Sequence, residues 1–267
     1  MRIVVCVKHV PDIQSERSLG PDGRVVRDGG DGTLNELDEN AVEAALTLLE
    51  AHFDAGGTGE VLALTVGPDD AEDAVRRALQ MGADVAIHVL DDAIAGSDVF
   101  GTATVLAAAI RHLGAQEPID LVVTGMAALD GQTSMLPAAL AYALDLPQLT
   151  LATEVTIDAG VVRVRRELDT ASEILTANLP ALVSVTDQSN EPRYPNFKGI
   201  MAARKKSVAV LTLADLGVDP ATVGAAGART VVLEAAARPE RENRILVTDD
   251  GTAAARLVAY LVDNKLV

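Results

Sequence analysis

The segment from Gly125 to Ser134 is the part of the chain whose residue types best suit binding chemistry. It follows an apolar run that predicts a buried strand and precedes a run with helical spacing. Gly131 permits close approach of a ligand to the backbone, and the amides of Gln132 to Ser134 would then face the start of the helix, where phosphate binds well. The Thr133 hydroxyl can add a hydrogen bond. An ordinary capped loop has the same composition, so the residues alone leave both interpretations open.

The residue patterns of common catalytic and metal sites are missing from the sequence. No Walker motif or nucleophile elbow occurs, and the four histidines are scattered without the spacing of metal ligands. Cys6, the only cysteine, lies inside a predicted strand and is read as a small core residue. The turn at Gly30–Gly32 lacks the third glycine of a dinucleotide fingerprint. We therefore expect no catalytic residue and no metal site.

The composition excludes several classes of protein. Of the 267 residues, 49% are hydrophobic but only 2% are aromatic, which permits a large aliphatic core but not aromatic platforms for stacking nucleic-acid bases. The net charge of −17 repels phosphate backbones and anionic membranes. No stretch approaches the roughly 18 apolar residues of a membrane span. We expect a cytoplasmic protein that binds no nucleic acid and inserts into no membrane.

Strands and helices alternate in the predicted order of elements over the first part of the chain. Apolar runs predict buried strands, and helical spacing predicts the helices between them. The strands are predicted at residues 2–7, 60–66, 83–89 and 119–124, and the helices at 36–55, 71–81, 98–113 and 133–144. Four strand–helix pairs imply right-handed crossovers and a mostly parallel, doubly wound sheet, hence an α/β fold. Asn35 is a candidate cap for the first helix.

The pattern changes after Pro147. Residues 151–157, 161–168 and 173–179 are predicted as antiparallel strands, which form a hairpin extension of the sheet. Strands at 181–186 and 207–212 follow, and a final helix is predicted at 252–262. The residues between are rich in Ala, Gly, Asp and Pro with weak periodicity, which indicates a C-terminal arm.

One segment differs from the rest of this acidic chain in charge. Five basic residues and one acidic residue lie between Asn190 and Lys206, and two of the six aromatic residues, Tyr194 and Phe197, lie there as well. A segment bounded by proline, basic and poorly periodic, is typical of a surface loop.

This segment (NEPRYPNFKGIMAARKK) resembles the corresponding part of the beta subunit of electron transfer flavoprotein, and the resemblance extends over most of the chain. Val4–Asp12 (VVCVKHVPD) is similar to the first strand and loop of that family. Asn35–Ala45 (NELDENAVEAA) is similar to the start of its first helix. The family signature of an acid, E-x-aliphatic and P-x-aliphatic-aliphatic is matched by Asp169, Glu173–Leu175 and Pro180–Val183. Thr170 and Ala171 depart from it, within a predicted hairpin.

The resemblance implies an adenine-nucleotide-binding type of α/β domain over residues 1–212. It implies that residues 213–267 form an arm and a helix that pack on a partner alpha subunit. The heterodimer would shuttle electrons from acyl-CoA dehydrogenases of fatty acid β-oxidation to a membrane quinone oxidoreductase. This chain would then be an electron carrier subunit and not an enzyme. The alpha subunit would hold most of FAD, while this chain would bury a structural AMP. In electron-bifurcating relatives, a second FAD takes the place of AMP.

The motifs also carry over two sets of site residues. By resemblance, the cofactor-binding residues are Cys6 (through its backbone), Asn35, Leu37, Asp38, Val66, Gly125, Asp130, Gln132 and Thr133. The residues that dock the dehydrogenase, in what we call the docking segment (residues 190–206), are Tyr194, Phe197, Lys198, Ile200 and Met201. Phe197 holds the position of the apolar anchor, and Lys205 and Lys206 fit steering toward an acidic partner. The Leu129–Thr133 loop is less acidic than the usual AMP loop, so AMP and a second FAD stay open as alternatives.

Two other nucleotide-binding classes fit the sequence less well. A stand-alone sensor of the universal-stress type needs a G-x2-G-x9-G-S/T loop, but Ala128 stands where its second glycine belongs. A ligase of the ATP-pyrophosphatase type needs a glycine- and serine-rich loop after the first strand, where this chain has Lys8–Asp12.

Overall fold

A mostly parallel sheet of nine strands, counted over the described residues, organises the chain. The computed structural model describes residues 1–27, 29–236, 238–239 and 244–267. Its strands are β1 (Arg2–Cys6), β2 (His9–Pro11), β3 (Gly32–Leu34), β4 (Glu60–Val66), β5 (Val85–Val89), β6 (Leu121–Gly125), β7 (Gln148–Asp158), β8 (Val161–Glu167), β9 (Ser172–Asn178), β10 (Ala181–Val185) and β11 (Val208–Leu211). Its helices are α1 (Glu36–Asp54), α2 (Glu72–Met81), α3 (Val99–Gln116), α4 (Leu136–Leu144), α5 (Phe197–Ala203), α6 (Gly224–Gly227) and α7 (Ala253–Asp263).

The strand order confirms the predicted fold class. The sheet runs β11-β5-β4-β1-β6-β10-β7-β8-β9, and every pair from β11 to β7 is parallel. β8 and β9 extend the sheet by antiparallel pairing, and β2 pairs with β3 in a separate two-stranded sheet. Along the chain, β4 and then β5 are added on one side of β1, and β6 is then added on the other side of β1. Ligands bind at such a switch in open α/β sheets.

The strand β7 differs from its prediction as a purely antiparallel strand. Its first half pairs in parallel with β10, and its second half pairs antiparallel with β8. An irregularity between Ala152 and Glu154 separates the two halves. Because a bulge re-aims the strand and increases its twist, a single long strand can serve both the parallel sheet and the extension.

Aliphatic side chains bury both faces of the sheet. Ile3 and Val5 of β1 join the core beneath α1 and α2, whereas Val4 and Cys6 join the core beneath α3 and α4. Alternation along a strand that is buried on both faces explains why β1 is apolar at nearly every position. α2 ends at Gly82, whose φ of 136° lies in a region that favours glycine.

The described residues divide into two compact units, 1–233 and 234–267. The first unit extends past the predicted boundary at residue 212, because Leu213 and Val223 are buried in its core. The second unit contains α7, whose residues are exposed or half-buried. None of the helices in the described part of the chain combines the length and apolarity needed to cross a bilayer.

Candidate functional site

The first turn of α1 lies against the carboxyl ends of β1 and β6. The Asp38 carboxylate accepts a hydrogen bond from the amide of Lys8 at 2.9 Å. A Cβ atom at Gly125 would lie 2.5 Å from Asp38 Oδ1 and 2.7 Å from the carbonyl oxygen of Leu37. Only glycine fits at this contact. The structure therefore brings Asp38, Leu37 and Gly125, three predicted site residues, together at the switch in strand order.

Asn35 connects this turn to the loop after β6. Its side-chain amide donates to the carbonyl of Ala127 at 2.9 Å, and its Oδ1 accepts from the amide of Leu129 at 3.0 Å. The predicted capping role is wrong for the side chain, which makes no capping hydrogen bond to α1. The loop offers this buried amide two backbone partners at once, and these bonds fix the shape of the loop.

Asp130 is the electrostatic centre of the loop. Its buried carboxylate accepts from Lys8 Nζ at 2.9 Å and from Arg27 Nε at 2.6 Å. Burial by itself would raise the pKa of Asp130, but Lys8 and Arg27 hold that pKa below its ordinary value. The loop amide of Gly131 also donates to this carboxylate, at 2.6 Å. We call the region where Asn35, Asp38, Gly125 and Asp130 meet, at the carboxyl ends of β1 and β6, the crevice.

The residues after Asp130 correct one prediction. The helix predicted from Thr133 begins only at Leu136, so the amides of Gln132 to Ser134 are not those of a helix N-terminus. Pro137 explains this, because proline favours the first turn of a helix. Gln132 and Ser134 have φ values of 47° and 52°, and the Gln132 amide already donates to Ala128. Gln132 and Thr133 are exposed, so they lie at the rim of the loop.

Sequence reasoning missed the two cations of the crevice. Lys8 directly follows β1 at its carboxyl end, which is a signal that topology alone offers. Arg27 comes from the segment between β2 and β3 and carries no comparable signal. Both side chains remain partly exposed beside Asp130, so they supply positive charge where the helix N-terminus was expected to supply it.

Asp38 and the neighbouring Cys6, unlike Asp130, favour their neutral forms. Burial raises the pKa of Asp38 to about 7, and hydrogen bonds from Asn35 and Lys8 offset only part of that effect. Burial, followed by the nearby Asp38, raises the pKa of the Cys6 thiol to about 12. A thiol with that pKa is not a nucleophile, which agrees with reading Cys6 as a core residue.

Two buried hydroxyl groups beside the crevice lack hydrogen-bond partners among the described residues. They belong to Thr65 and Thr124, which immediately precede the predicted site residues Val66 and Gly125. Cys6, Val66 and Gly125 lie at the ends of β1, β4 and β6, three neighbouring strands of the sheet. A group bound over these ends, or an ordered water, would satisfy such hydroxyls. The strand ends therefore offer hydrogen-bonding groups, and Lys8 and Arg27 beside them offer positive charge.

The docking segment holds its aromatic residues in solvent. Tyr194 is 87% exposed and Phe197 is 79% exposed. The segment was predicted as a loop, but Phe197 begins the two-turn helix α5, and Asn196 caps it by accepting from the Gly199 amide at 2.8 Å. Gly199 lies close to the carbonyl oxygen of Gln80, so α5 packs tightly on α2. The apolar tip is thus mounted on a supported helix.

The other predicted docking residues share this helix. Lys198 and Met201 are exposed, and Ile200 is half-buried. Lys206, which the sequence also assigned to steering, is half-buried, and its Nζ donates to the carbonyl of Ala83 at 2.7 Å. Lys205 stays exposed. In the described ranges, no group of three or more His, Cys, Asp or Glu side chains could hold a metal ion.

Comparison with known proteins places these features in one family. A model of the electron transfer flavoprotein domain matches residues 22–216. The electron transfer flavoprotein subunit beta of Mycobacterium bovis is 45% identical over 266 residues, covering 99% of each chain. The protein of the same name from Megasphaera elsdenii is 33% identical and covers 100% of each chain. The caffeyl-CoA reductase-Etf complex subunit CarD of Acetobacterium woodii is 32% identical and covers 99% of this chain and 97% of its own. These matches confirm the resemblance: the chain belongs to the beta subunit family of electron transfer flavoproteins.

Proposed function

We propose that this chain is the beta subunit of a cytoplasmic, heterodimeric electron carrier and has no catalytic residues of its own. It would dock acyl-CoA and related dehydrogenases, while FAD held mainly by an alpha subunit carries their electrons to a quinone oxidoreductase. The observation that carries the proposal is the solvent-exposed pair Tyr194 and Phe197, with Phe197 at the start of the supported helix α5 and Tyr194 just before it, beside a basic rim. Exposed aromatic anchors of this kind are typical centres of protein interfaces.

The crevice would hold AMP as a structural group. When bound, AMP supplies packing and hydrogen bonds but no redox chemistry. Lys8 and Arg27 are placed to attract its phosphate, since Asp130 leaves both side chains partly exposed. The unpartnered hydroxyls of Thr65 and Thr124 lie beside the strand ends that the nucleotide would cover. Gly125 allows the close packing that shapes the crevice.

A second FAD in place of AMP is the alternative. A cleft of about 930 Å³ lies beside the crevice, and its lining includes Val25, Arg27, Pro68 and Leu90. Arg27 belongs to both the crevice and the cleft, so one ligand larger than AMP could extend across both. The relative from Acetobacterium woodii is named as a subunit of a caffeyl-CoA reductase-Etf complex, so the family includes a chain of a larger assembly.

We propose further that the C-terminal residues contact the alpha subunit. Leu257, Val258 and Val262 of α7 are each more than half exposed, and the helix has no buried residue. Several apolar side chains in solvent on one short helix are typical of a segment that packs on a partner. The names of the relatives as "subunit beta" support a second, different subunit.

Nucleotide analysis of the purified complex tests the proposal. Co-expressed alpha and beta chains are expected to purify as a yellow 1:1 dimer, and acid extraction should release FAD and AMP in equal amounts. Two FAD and no AMP would instead support the bifurcating alternative. A beta chain that brings no nucleotide into the complex would rule out both versions of the cofactor proposal.

A further inference from the structure

Arg193, just before the aromatic tip of the docking segment, is bound on both edges of its guanidinium group. It donates to Glu43 from Nε at 2.7 Å and from Nη2 at 2.9 Å. It donates to Glu50 from Nη1 at 2.6 Å and from Nη2 at 3.1 Å. Its own backbone amide also donates to Glu43, at 3.1 Å. One arginine therefore fixes both its side chain and its main chain to α1.

A second contact fixes the chain three residues earlier. Asn40 donates to the carbonyl of Asn190 at 2.9 Å, and Asn190 donates back to the carbonyl of Asn40 at 3.0 Å. Asn40, Glu43 and Glu50 recur along α1 at intervals of a helical face. A single stripe of α1 thus holds residues 190–193.

Because of this arrangement, the docking segment offers a partner less positive charge than its sequence indicates. Arg193 is one of its five basic residues, yet two carboxylates neutralise it, so it has no charge to offer a partner. Tyr194 follows Arg193 directly, and its side chain is left in solvent. Binding a flexible loop costs the conformational entropy of ordering that loop. Because Arg193 already fixes the loop next to Tyr194, binding of a partner avoids much of this cost.

We infer that Arg193 is a positioning residue for docking, which acts by holding Tyr194 and Phe197 in the geometry that the partner recognises. This inference rests on the docking role proposed above. Lysine cannot replace arginine in this role, because an ammonium group lacks the planar fork that reaches two carboxylates at once.

Steady-state kinetics of the assembled heterodimer test the inference, with a purified acyl-CoA dehydrogenase and its acyl-CoA substrate as electron donor. Arg193→Lys is expected to raise the KM for the flavoprotein about tenfold and to leave kcat within about twofold, because binding is impaired but the reacting groups are not. Glu43→Gln should act in the same direction. The double variant should be no worse than the more severe single variant, since the pair acts as one unit.

Two further variants keep the result interpretable. Arg166→Lys is the matched control, because Arg166 also pairs with a glutamate, Glu173, but on the strand extension. It should leave KM unchanged. Glu50→Gln removes only the more exposed of the two ion pairs of Arg193. It replaces Arg193→Lys as the test if that variant fails to assemble, and it should raise KM about threefold.

Each remaining outcome has a definite meaning. If Phe197→Ala raises KM while Arg193→Lys and Glu50→Gln do not, the positioning role is wrong but docking through this segment stands. If Glu43→Gln lowers KM, the freed guanidinium contacts the partner directly, and the inference is overturned. If Phe197→Ala also has no effect, the proposed docking role itself fails.

Discussion

Two carboxylates of the same helix, Asp38 and Glu43, have pKa values shifted in opposite directions. Burial raises the pKa of Asp38 to about 7, and the hydrogen bonds and the Lys8 charge near it offset only part of that effect. Burial also acts on Glu43, but hydrogen bonds and charge from Arg193 lower the pKa of Glu43 overall. The first turn of α1 thus buries a carboxylate whose charged form is disfavoured, whereas another face of α1 holds the docking segment by means of charge.

One helix thus supports two regions, the crevice and the docking segment, and the two regions should tolerate different changes. The crevice depends on close packing around Gly125, where an added methyl group has no space. The docking segment depends on exposed side chains, such as Phe197, whose removal disturbs no core. Variants of the crevice should therefore alter stability and bound nucleotide, and variants of the docking segment should alter partner affinity.

Asp38→Asn tests the crevice side of the comparison with the largest expected effect. The pKa of Asp38 is higher in the folded state than its ordinary value of 3.8, so the folded protein keeps a proton that the unfolded chain releases. Stability from this group is therefore present at low pH and is lost as pH rises toward 7. Between pH 5 and pH 7 the loss should be roughly 2.3 kcal/mol, and the Asn variant should lack it.

Urea unfolding of the purified complex across this pH range measures the difference between the two proteins. Glu43→Gln is the contrasting variant. The lowered pKa of Glu43 stabilises the folded protein at pH values above 4.5, and this stability is lost only as the pH falls below that value. A wild-type minus Asp38→Asn difference that stays constant from pH 5 to pH 7 would contradict the assignment.

Gly125→Ala is expected to destabilise the complex by about 2 kcal/mol and to release its nucleotide. The added Cβ would meet Asp38 and the main chain of Leu37, and backbone cannot yield as a flexible side chain can. Thermal unfolding and nucleotide extraction measure the two effects. Gly131→Ala is the matched control, since the nearest atom to its Cβ, Thr133 Oγ1, is 3.7 Å away. Equal behaviour of the two variants would contradict the close packing at Gly125.

These sites also show which features of the structure could be predicted from the sequence. The alternation of apolar runs with glycine and proline breaks predicted the parallel sheet, and local composition was enough to mark the docking segment. The partners of Asp130 were not predictable in the same way, since Lys8 and Arg27 lie 122 and 103 residues from it along the chain. No local pattern links groups that distant.

Local sequence patterns also failed to predict the hydrogen-bond partner of a side chain that had several possible partners. Asn35 suits a helix cap by type and position, but its side chain bonds the loop after β6 instead. Arg193 counted as free positive charge in the sequence, yet its carboxylate partner Glu43 lies 150 residues away. Tertiary contacts decide these cases, because each polar group bonds whatever the fold brings within reach.

Phe197→Ala tests the docking side of the comparison. Loss of this exposed anchor should weaken binding of the dehydrogenase by about 2 kcal/mol while leaving bound nucleotide and stability unchanged. The affinity can be measured by titrating the heterodimer with the dehydrogenase. Tyr142→Ala is the matched control, because Tyr142 is 90% exposed but lies on α4, outside the docking segment. If both variants lose affinity equally, exposure of an aromatic residue and not its place in the docking segment explains the result.

Lys205 and Lys206 are neighbours in the chain, but we expect one to affect association with the partner and the other to affect stability. Lys206 donates to the carbonyl of Ala83, so Lys206→Met should lower the free energy of unfolding by about 1 kcal/mol with little effect on docking. Lys205 is exposed, so Lys205→Met should instead slow association with an acidic partner, and the loss should shrink as salt screens the charge. Stopped-flow association at low and high ionic strength, together with thermal unfolding, separates the two outcomes. Identical effects of the two substitutions would mean that the hydrogen bond of Lys206 does not set it apart, and that both lysines act only through their charge.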